Sequence, residues 1–303
     1  MERVVVLALS GALVFSAACT STAVTPVVPA PTVETVTMDG HFMNVQYPTT
    51  GIPPYNVPMA RLQSGTSQVL TVDITKRDGN AATGTIAVGG IVPADSTNVP
   101  VDQNTVGDRL PTFRNSDVFL GEVVEGKNFA LSRYNYDWKS DIVVRSGYVV
   151  FGDRTKSVPT AGTASYNGEV YGMTIANGEK YVRGLTGSVN LNASFGGTPA
   201  IGGKMTNLRL HEANNSQVPL AQDIVMEPVG LNGSGYAGGK MHLIEAGSVN
   251  TRVGTMIVSD YQGALYGAGG PETAGTFQFL VRTDDGAGGT VDRTAIGGFA
   301  ASQ

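Results

Sequence analysis

Residues that interrupt helices are the feature of this sequence that most restricts its fold. Of the 303 residues, 40 are glycine and 15 are proline, and they are spread without a fixed period. After residue 37, no run of ten or more residues carries apolar side chains at the three- and four-residue spacing of an amphipathic helix. Frequent breaks without helical spacing are typical of short strands joined by turns. The sequence therefore predicts an all-β protein.

Alternation of apolar and polar side chains is clearest in the second half. Between residues 189 and 195, apolar side chains alternate with Asn190, Asn192 and Ser194, which predicts a strand with one buried and one solvated face. Further strand candidates are 164–170, 200–210, 222–227, 236–245, 253–259, 261–267, 274–282 and 293–301. Such a series of roughly eight or nine strands predicts an up-and-down antiparallel barrel, because closure removes exposed edges. Its polar outward side chains are unsuited to a lipid-facing band, so we expect a water-soluble barrel filled by its own side chains.

The first half is less regular. Residues 70–74, 85–88 and 142–151 have the character of strands, whereas residues 94–110 have the composition of a loop. We expect a smaller and more open β domain packed beside the barrel.

The N-terminus predicts export. An apolar run from Val4 to Phe15 is interrupted only by Ser10 and Gly11 and ends at small residues before Cys19. It is shorter than the ~20 residues that cross a bilayer, and its length and small-residue end are typical of a signal peptide. Residues 1–18 are therefore assigned to a signal peptide.

Cys19 is the single cysteine of the chain, which excludes an intrachain disulfide. Its place after small residues resembles a bacterial lipobox, in which the thiol is lipidated and becomes the new N-terminus. Ser16 stands where that pattern prefers leucine, and ordinary signal-peptidase cleavage near Ala18 is the alternative. We expect lipid attachment at Cys19, which would anchor the chain firmly because each buried methylene contributes about 0.8 kcal/mol.

Four segments follow from these observations. After the signal peptide, residues 19–36 are rich in threonine, proline and valine and are predicted to be a disordered tether, extended at its prolines. Residues 37–155 form the smaller β domain, and residues 156–303 form the barrel.

The motifs at residues 134–138, 148–168, 265–277 and 296–300 resemble the transferrin-binding protein B family of surface lipoproteins. Residues 148–155 and 158–168 are similar to that family's entry into the barrel, and residues 134–138 to the aromatic strand before it. Residues 265–267, 270–272 and 274–277 resemble its penultimate hairpin, and residues 296–300 its closing strand. The resemblance implies a single lobe, with a "handle" β domain before an eight-stranded barrel, at the surface of an outer membrane. The family also includes complement factor H-binding and haem-binding members, so the resemblance leaves the ligand open.

Alternate residues of the aromatic strand are candidates for partner binding. Tyr134, Tyr136 and Trp138 share one face of a strand and Arg133 lies on the other. Tyrosine, tryptophan and arginine dominate protein-binding hot spots. The alternative is that the aromatic rings pack between the two β domains.

No metal or catalytic motif stands out. The three histidines, His41, His211 and His242, have no spacing typical of a metal pair, and we expect no bound metal and no required cofactor. A haem-ligand role is considered for His211 because it opens a loop. Neither a Gly-x-Ser-x-Gly elbow nor a His-Glu-x-x-His helix is present, so an enzyme is not expected.

The net charge of −5 argues against a nucleic-acid partner. Three functions are open: capture of a partner protein or its cargo in iron or haem acquisition, adhesion or immune evasion without transport, and direct binding of haem or a small ligand. The protein partners expected are an iron- or haem-carrying protein or a TonB-dependent receptor, and the membrane contact is through the lipid alone.

Overall fold

The computed structural model describes residues 30–46, 59–62, 68–77, 80–102, 110–138, 143–176, 179, 182–212, 216–248, 252–284 and 289–303. Apart from one 3-10 turn at Ala94–Ser96, the regular elements of these residues are strands, which confirms the all-β prediction. Within these ranges, no helix has the length and apolarity needed to cross a membrane.

The first nine strands form one antiparallel sheet. They are β1 (Thr32–Gln46), β2 (Met59–Leu62), β3 (Gln68–Arg77), β4 (Asn80–Val88), β5 (Val99–Pro100), β6 (Phe113–Arg114), β7 (Val118–Glu125), β8 (Phe129–Trp138) and β9 (Val143–Gly152). Their order is β5-β4-β3-β1-β9-β8-β7-β6, with β2 on β1. A bridge between Val101 and Phe113 connects the two ends, so this sheet is more closed than the sequence suggests.

β1 differs most from expectation. It begins at Thr32, and its first residues pair with β3, Thr32 opposite Lys76 and Val36 opposite Val72. Residues 32–36, which the sequence predicts to belong to the tether, are therefore part of this strand, and residues 19–29 lie outside the described residues. The physical reason is that β3 offers backbone groups which only a neighbouring strand can satisfy, and threonine and valine suit a strand.

The remaining strands form the second sheet. They are β10 (Gly162–Ala176), β11 (Arg183–Phe195), β12 (Ala200–His211), β13 (Gln217–Pro219), β14 (Gln222–Gly230), β15 (Gly235–Gly239), β16 (Met241–Glu245), β17 (Thr255–Tyr266), β18 (Glu272–Asp284) and β19 (Thr290–Ser302). Their order is β15-β17-β18-β19-β10-β11-β12-β14-β16, with β13 on β12.

A broken strand closes this second sheet into a barrel. β15 and β16 are separated by Lys240 alone; β15 pairs with β17, whereas β16 pairs with β14. The Met241 amide also donates to the Ser259 hydroxyl of β17 (3.1 Å). If β15 and β16 are counted as one broken strand and the short β13 is left aside, the barrel has eight strands. This confirms the predicted eight-stranded antiparallel barrel. The segments 253–259 and 261–267, which the sequence separates, are the single strand β17.

The two faces of the barrel wall have different partners. On β18, Phe277 and Phe279 point into the barrel core, whereas Ala274 faces the first sheet. Ala274 belongs to a cluster of barrel residues that packs against the first sheet, with Met173, Tyr266, Ile296 and Ala300. The first-sheet residues of this cluster are Met43, Phe129, Leu131, Tyr148 and Val150. The approach is close, since a Cβ added to Gly298 would lie 2.3 Å from Leu131 Cδ1. Small residues on β18 and β19 thus let the two sheets share a core.

Residues 153–161 connect the two sheets, and the expected domain boundary at 155/156 falls within them. Thr155 fixes this connection: its amide donates to the Leu265 carbonyl (2.9 Å) and its hydroxyl to the Gly267 carbonyl (2.8 Å). Tyr166 donates its hydroxyl to the Gly270 carbonyl (2.8 Å). The connection is therefore held against the β17–β18 hairpin.

Candidate functional site

A cleft of about 420 Å³ opens where the first sheet meets the barrel wall. The first sheet contributes Asp39 of β1 and Val150 of β9, and the connection contributes Arg154. The barrel side is formed by β15, β17, β18 and the β14–β15 turn, with Gly230, Asn232, Gly235, Tyr236, Ala237, Gln262, Gly263, Tyr266, Gly275 and Thr276. This volume lies within the range of ~300–1,000 Å³ typical of small-molecule sites, which often form between structural units.

An ion pair stands at the cleft. Arg154 Nη2 donates to Asp39 Oδ2 at 2.8 Å, and about half of each side chain is exposed. At such exposure the pair contributes at most about 1 kcal/mol to stability. Its effect is to hold the guanidinium group at the cleft. Burial raises the pKa of the neighbouring Tyr266 phenol to about 12, and Arg154 offsets part of that rise.

Gln262 lines the cleft with an unsatisfied donor. Its side chain is 8% exposed and its Nε2 atom is buried without a hydrogen-bond partner. An unpaired buried donor costs about 1–3 kcal/mol, so such a group calls for a partner such as a water, an ion or a ligand. Gln278, on the adjacent β18, has the same property at 1% exposure but does not line this cleft.

A buried histidine joins the sheets beside the cleft. His41 of β1 is 1% exposed; its Nδ1 lies 2.8 Å from Thr276 Oγ1 and its Nε2 lies 3.2 Å from Asp260 Oδ2. A neutral imidazole that donates from Nε2 to a carboxylate accepts a hydrogen bond from the threonine hydroxyl at Nδ1. The network fixes Thr276, which lines the cleft, and connects β1 to β17 and β18.

The predicted aromatic strand lies elsewhere. Tyr134 and Tyr136 are 0% and 1% exposed, and both belong to the first sheet's own core. Tyr134 contacts Phe42 edge to face at a ring-centroid distance of 6.0 Å, and burial raises its pKa to about 12. These two rings thus pack within the first sheet, neither between the sheets nor at a surface open to a partner. The side chain of Trp138 lies outside the described residues.

Arg133, the fourth residue proposed for partner binding, is partly exposed. It lies on the opposite face of β8, in register with Tyr148 of β9. Arg133 also acts on Tyr148, where it offsets part of the rise that burial causes in the tyrosine pKa. The structure therefore separates Arg133 from the aromatic residues of its strand.

The remaining histidines have separate hydrogen-bond partners. His211 ends β12, and its Nε2 lies 2.8 Å from Thr186 Oγ1; residues 213–215 of the predicted loop lie outside the described residues. His242 Nδ1 lies 3.0 Å from Glu227 Oε1. In the part of the chain that the structure describes, no group of three or more His, Cys, Asp or Glu residues could hold a metal ion.

An exposed apolar surface lies on the β4–β5 connection. Gly89 and Gly90 have φ values of +60° and +77°, which fit the two central positions of a type I′ turn. Val88 and Ile91 exchange both backbone hydrogen bonds across it (2.9 and 3.1 Å), and the Gly89 amide donates to the Val69 carbonyl (2.8 Å). Val69, Ile91 and Val92 are 41%, 63% and 44% exposed. We refer to these three residues as the apolar turn.

Sequence reasoning missed the cleft, although one local signal was present. In the β17 pattern, Gln262 shares a face with Ala264 and Tyr266, so a polar residue interrupts an apolar row. No local pattern connects Gln262 to Asp39 and Arg154, because their proximity depends on how the sheets pack.

Comparisons with known proteins find only distant similarity. No protein-family model matches the sequence, and no curated protein matches it. A Transferrin Binding Protein B double mutant from Haemophilus parasuis is 11% identical, over 91% of this chain and 78% of that chain, with a TM-score of 0.34. The isotype 1 protein from serogroup B Neisseria meningitidis is 13% identical, over 77% and 49%, with a TM-score of 0.33.

A protein of unknown function of the DUF3598 family, from Nostoc punctiforme, is 12% identical over 87% of this chain and 94% of that chain, with a TM-score of 0.18. Similarity at these levels transfers neither a ligand nor a binding site to this chain. These comparisons also do not show that the chain belongs to the transferrin-binding protein B family, which its sequence motifs resemble.

Proposed function

We propose that this chain is an exported binding module, held at the outer-membrane surface by a lipid on Cys19, which captures a partner protein or its cargo. It acts by binding rather than by catalysis. The sequence supports export and anchoring through the apolar run before Cys19. The observation that carries the binding role is the apolar turn.

The apolar turn has the properties of a protein contact. Single exposed apolar side chains are ordinary on a protein surface, but three of the six large apolar side chains that are exposed among the described residues, Val69, Ile91 and Val92, lie on or beside this turn. The paired backbone of the turn holds them in place. A preorganised apolar surface loses little conformational entropy on binding, which favours its use as an interface.

The proposal also names the kind of cargo. The motifs at residues 148–168 and 265–300 resemble those of transferrin-binding protein B-like lipoproteins, and on this ground we propose iron or haem acquisition. The partner would then be an iron- or haem-carrying protein or a TonB-dependent receptor. Adhesion or immune evasion by the same surface, without transport, is the alternative, and a neighbouring gene for a TonB-dependent receptor would favour acquisition.

Affinity capture with matched variants tests the proposal. The mature chain is immobilised and exposed to serum and to spent medium, beside an Ile91→Ser/Val92→Ser double variant and a Val218→Ser control. Val218 is 43% exposed on β13 of the barrel, so its replacement removes exposed apolar surface elsewhere, at one position rather than two. We expect one partner to be retained by the parent and the control, and reduced at least about tenfold by the double variant. Equal retention by all three proteins would contradict the role of the apolar turn.

Direct haem binding is tested separately. A haem titration followed in the Soret region, with the parent and a His211→Ala variant, would show a spectral shift that the variant lacks if His211 is a ligand. The hydrogen bond between His211 and Thr186 competes with iron for Nε2. We therefore place capture of a protein before direct haem binding.

A further inference from the structure

We propose that the cleft between the first sheet and the barrel binds a small organic carboxylate with an apolar body. This site is independent of the apolar turn, so the inference goes beyond capture of a protein partner. Three features of the cleft carry it: a guanidinium group with donors beyond the one that Asp39 uses, a buried donor without a partner, and open space above glycine residues.

The donors of the cleft outnumber its charged acceptors. Arg154 presents a guanidinium group with five N–H donors, and Gln262 adds the unpaired Nε2. The carboxylate that lines the cleft is that of Asp39, and it already accepts from Arg154 at 2.8 Å. A ligand that brings acceptor oxygens completes this arrangement. Arginine binds carboxylates with a geometry that matches two parallel hydrogen bonds, which favours a carboxylate over a single carbonyl.

The unpaired donor is the second, independent observation. Gln262 is more than nine-tenths buried and lines the cleft. The terminal torsion of a glutamine side chain is soft, so rotation of the amide can direct its N–H groups to an oxygen in the cleft. A bound carboxylate oxygen would therefore supply the partner that Nε2 lacks.

Glycine residues leave room for the ligand beneath the guanidinium group. A Cβ added to Gly235 would have no neighbour nearer than 3.7 Å, and it would lie 4.0 Å from Arg154 Nη1. A Cβ on Gly230 would meet only the Pro199 carbonyl oxygen, at 3.9 Å. Val150 of the first sheet and Tyr266 of the barrel supply apolar wall to the same space. The cleft thus combines a polar end with an apolar side.

Benzoate is a suitable probe because it joins a carboxylate to a compact apolar ring. Benzamide and benzyl alcohol are its uncharged analogues. Titration of the mature chain, labelled with 15N in its glutamine side chains, follows the Gln262 amide signals directly. We expect saturable shifts of these signals with a dissociation constant on the order of millimolar, as befits so small a ligand. Both analogues should bind at least about tenfold more weakly.

Four variants locate the site. Gln262→Leu and Arg154→Gln should each weaken benzoate binding about tenfold or more. For Gln262→Leu, which lacks the reporter amide, the affinity is read from the benzoate signals. Gly235→Leu fills the open space without removing a polar group and should abolish binding. The matched control is Gln278→Leu, which removes another buried unpaired Nε2 outside the cleft and should leave the affinity unchanged. Because Arg154 is half exposed, Arg154→Gln is expected to fold. It therefore still tests the site if a substitution at one of the buried positions prevents folding.

Several results would overturn the inference. The first is the absence of saturable shifts with benzoate, which would leave the cleft to water alone. The second is equal affinity in the parent and the Arg154→Gln variant, which would place the ligand elsewhere. The third is equal binding of benzoate and benzyl alcohol, which would exclude carboxylate recognition. Failure of protein capture by the apolar turn would not affect these measurements.

Discussion

Glu272 and Asn128 are 144 positions apart in the chain and share two hydrogen bonds. The Glu272 Oε2 atom accepts from the Asn128 backbone amide at 2.9 Å and from its side-chain Nδ2 at 2.6 Å, while Oε1 accepts from the Lys127 amide at 2.9 Å. Glu272 opens β18 in the barrel, and Asn128 lies in the turn between β7 and β8 of the first sheet. One carboxylate therefore fastens the two sheets together at this end.

Glu272→Ala should destabilise the protein by about 2 kcal/mol or more, because charge-assisted bonds are lost and partly buried donors are left without an acceptor. Urea unfolding measures the effect through the shift of the midpoint. Glu245→Ala provides the control, since Glu245 is exposed at the end of β16. An equal, small change in both variants would show that this carboxylate does not hold the sheets together.

The contact between Gly298 and Leu131 is expected to leave no room for a methyl group. A Cβ at position 298 would lie 2.3 Å from Leu131 Cδ1, so Gly298→Ala should cost about 1–3 kcal/mol through overpacking. In a Leu131→Ala background the same substitution should cost clearly less, because the obstructing side chain is absent. Unfolding of all four proteins of this double-mutant cycle measures the coupling.

Gly230→Ala is the matched control for that cycle, because its added Cβ would meet nothing nearer than 3.9 Å. We expect a change within about 0.5 kcal/mol for this variant. If Gly298→Ala were equally mild, or equally costly with and without Leu131, the close approach of the sheets would be contradicted.

Stability should fall at alkaline pH through Tyr266. Burial raises the pKa of its phenol from 10.0 to about 12, so the folded protein keeps a proton that the unfolded chain releases near pH 10. The contribution of this residue is therefore complete below pH 10 and is lost as pH rises from 10 towards 12, by about 2–3 kcal/mol.

Tyr266→Phe isolates this contribution, because phenylalanine does not ionise. The urea midpoint of the parent, measured between pH 8 and about 11.5, should fall relative to that of the variant as the pH rises through that window. Parallel pH profiles for the two proteins would count against a buried, neutral phenol at position 266.

Anchoring through Cys19 predicts that the chain is recovered with membranes and incorporates labelled palmitate when it is produced in a bacterium. Cys19→Ala should lose both properties, because it removes the single thiol of the chain. Continued labelling of the variant would refute lipid attachment at this position. A parent chain that is released without lipid would favour ordinary signal-peptidase cleavage.

The barrel was more predictable than the first sheet because its strands alternate visibly. Val189 and Leu191 are buried while Asn190 and Asn192 are exposed, as their order along the chain predicts. The break at Lys240 was not predictable from the sequence, because residues 236–245 have the pattern of one continuous strand. They divide into β15 and β16 because the two halves pair with different strands where the barrel closes. In the first sheet, Tyr134 and Tyr136 were correctly placed on one face, but that face turned out to be the sheet's own core.

By itself, the sequence determined the all-β class and the division of each barrel strand into two faces, since glycine breaks and period-two alternation act over a few residues. Only the tertiary structure decided what lies against those faces. Asp39, Arg154 and Gln262 are far apart in the chain and meet because β1, the connection after β9 and β17 converge where two sheets share a core. Local pattern fixes which side of a strand is buried, whereas the partner of that side depends on long-range packing.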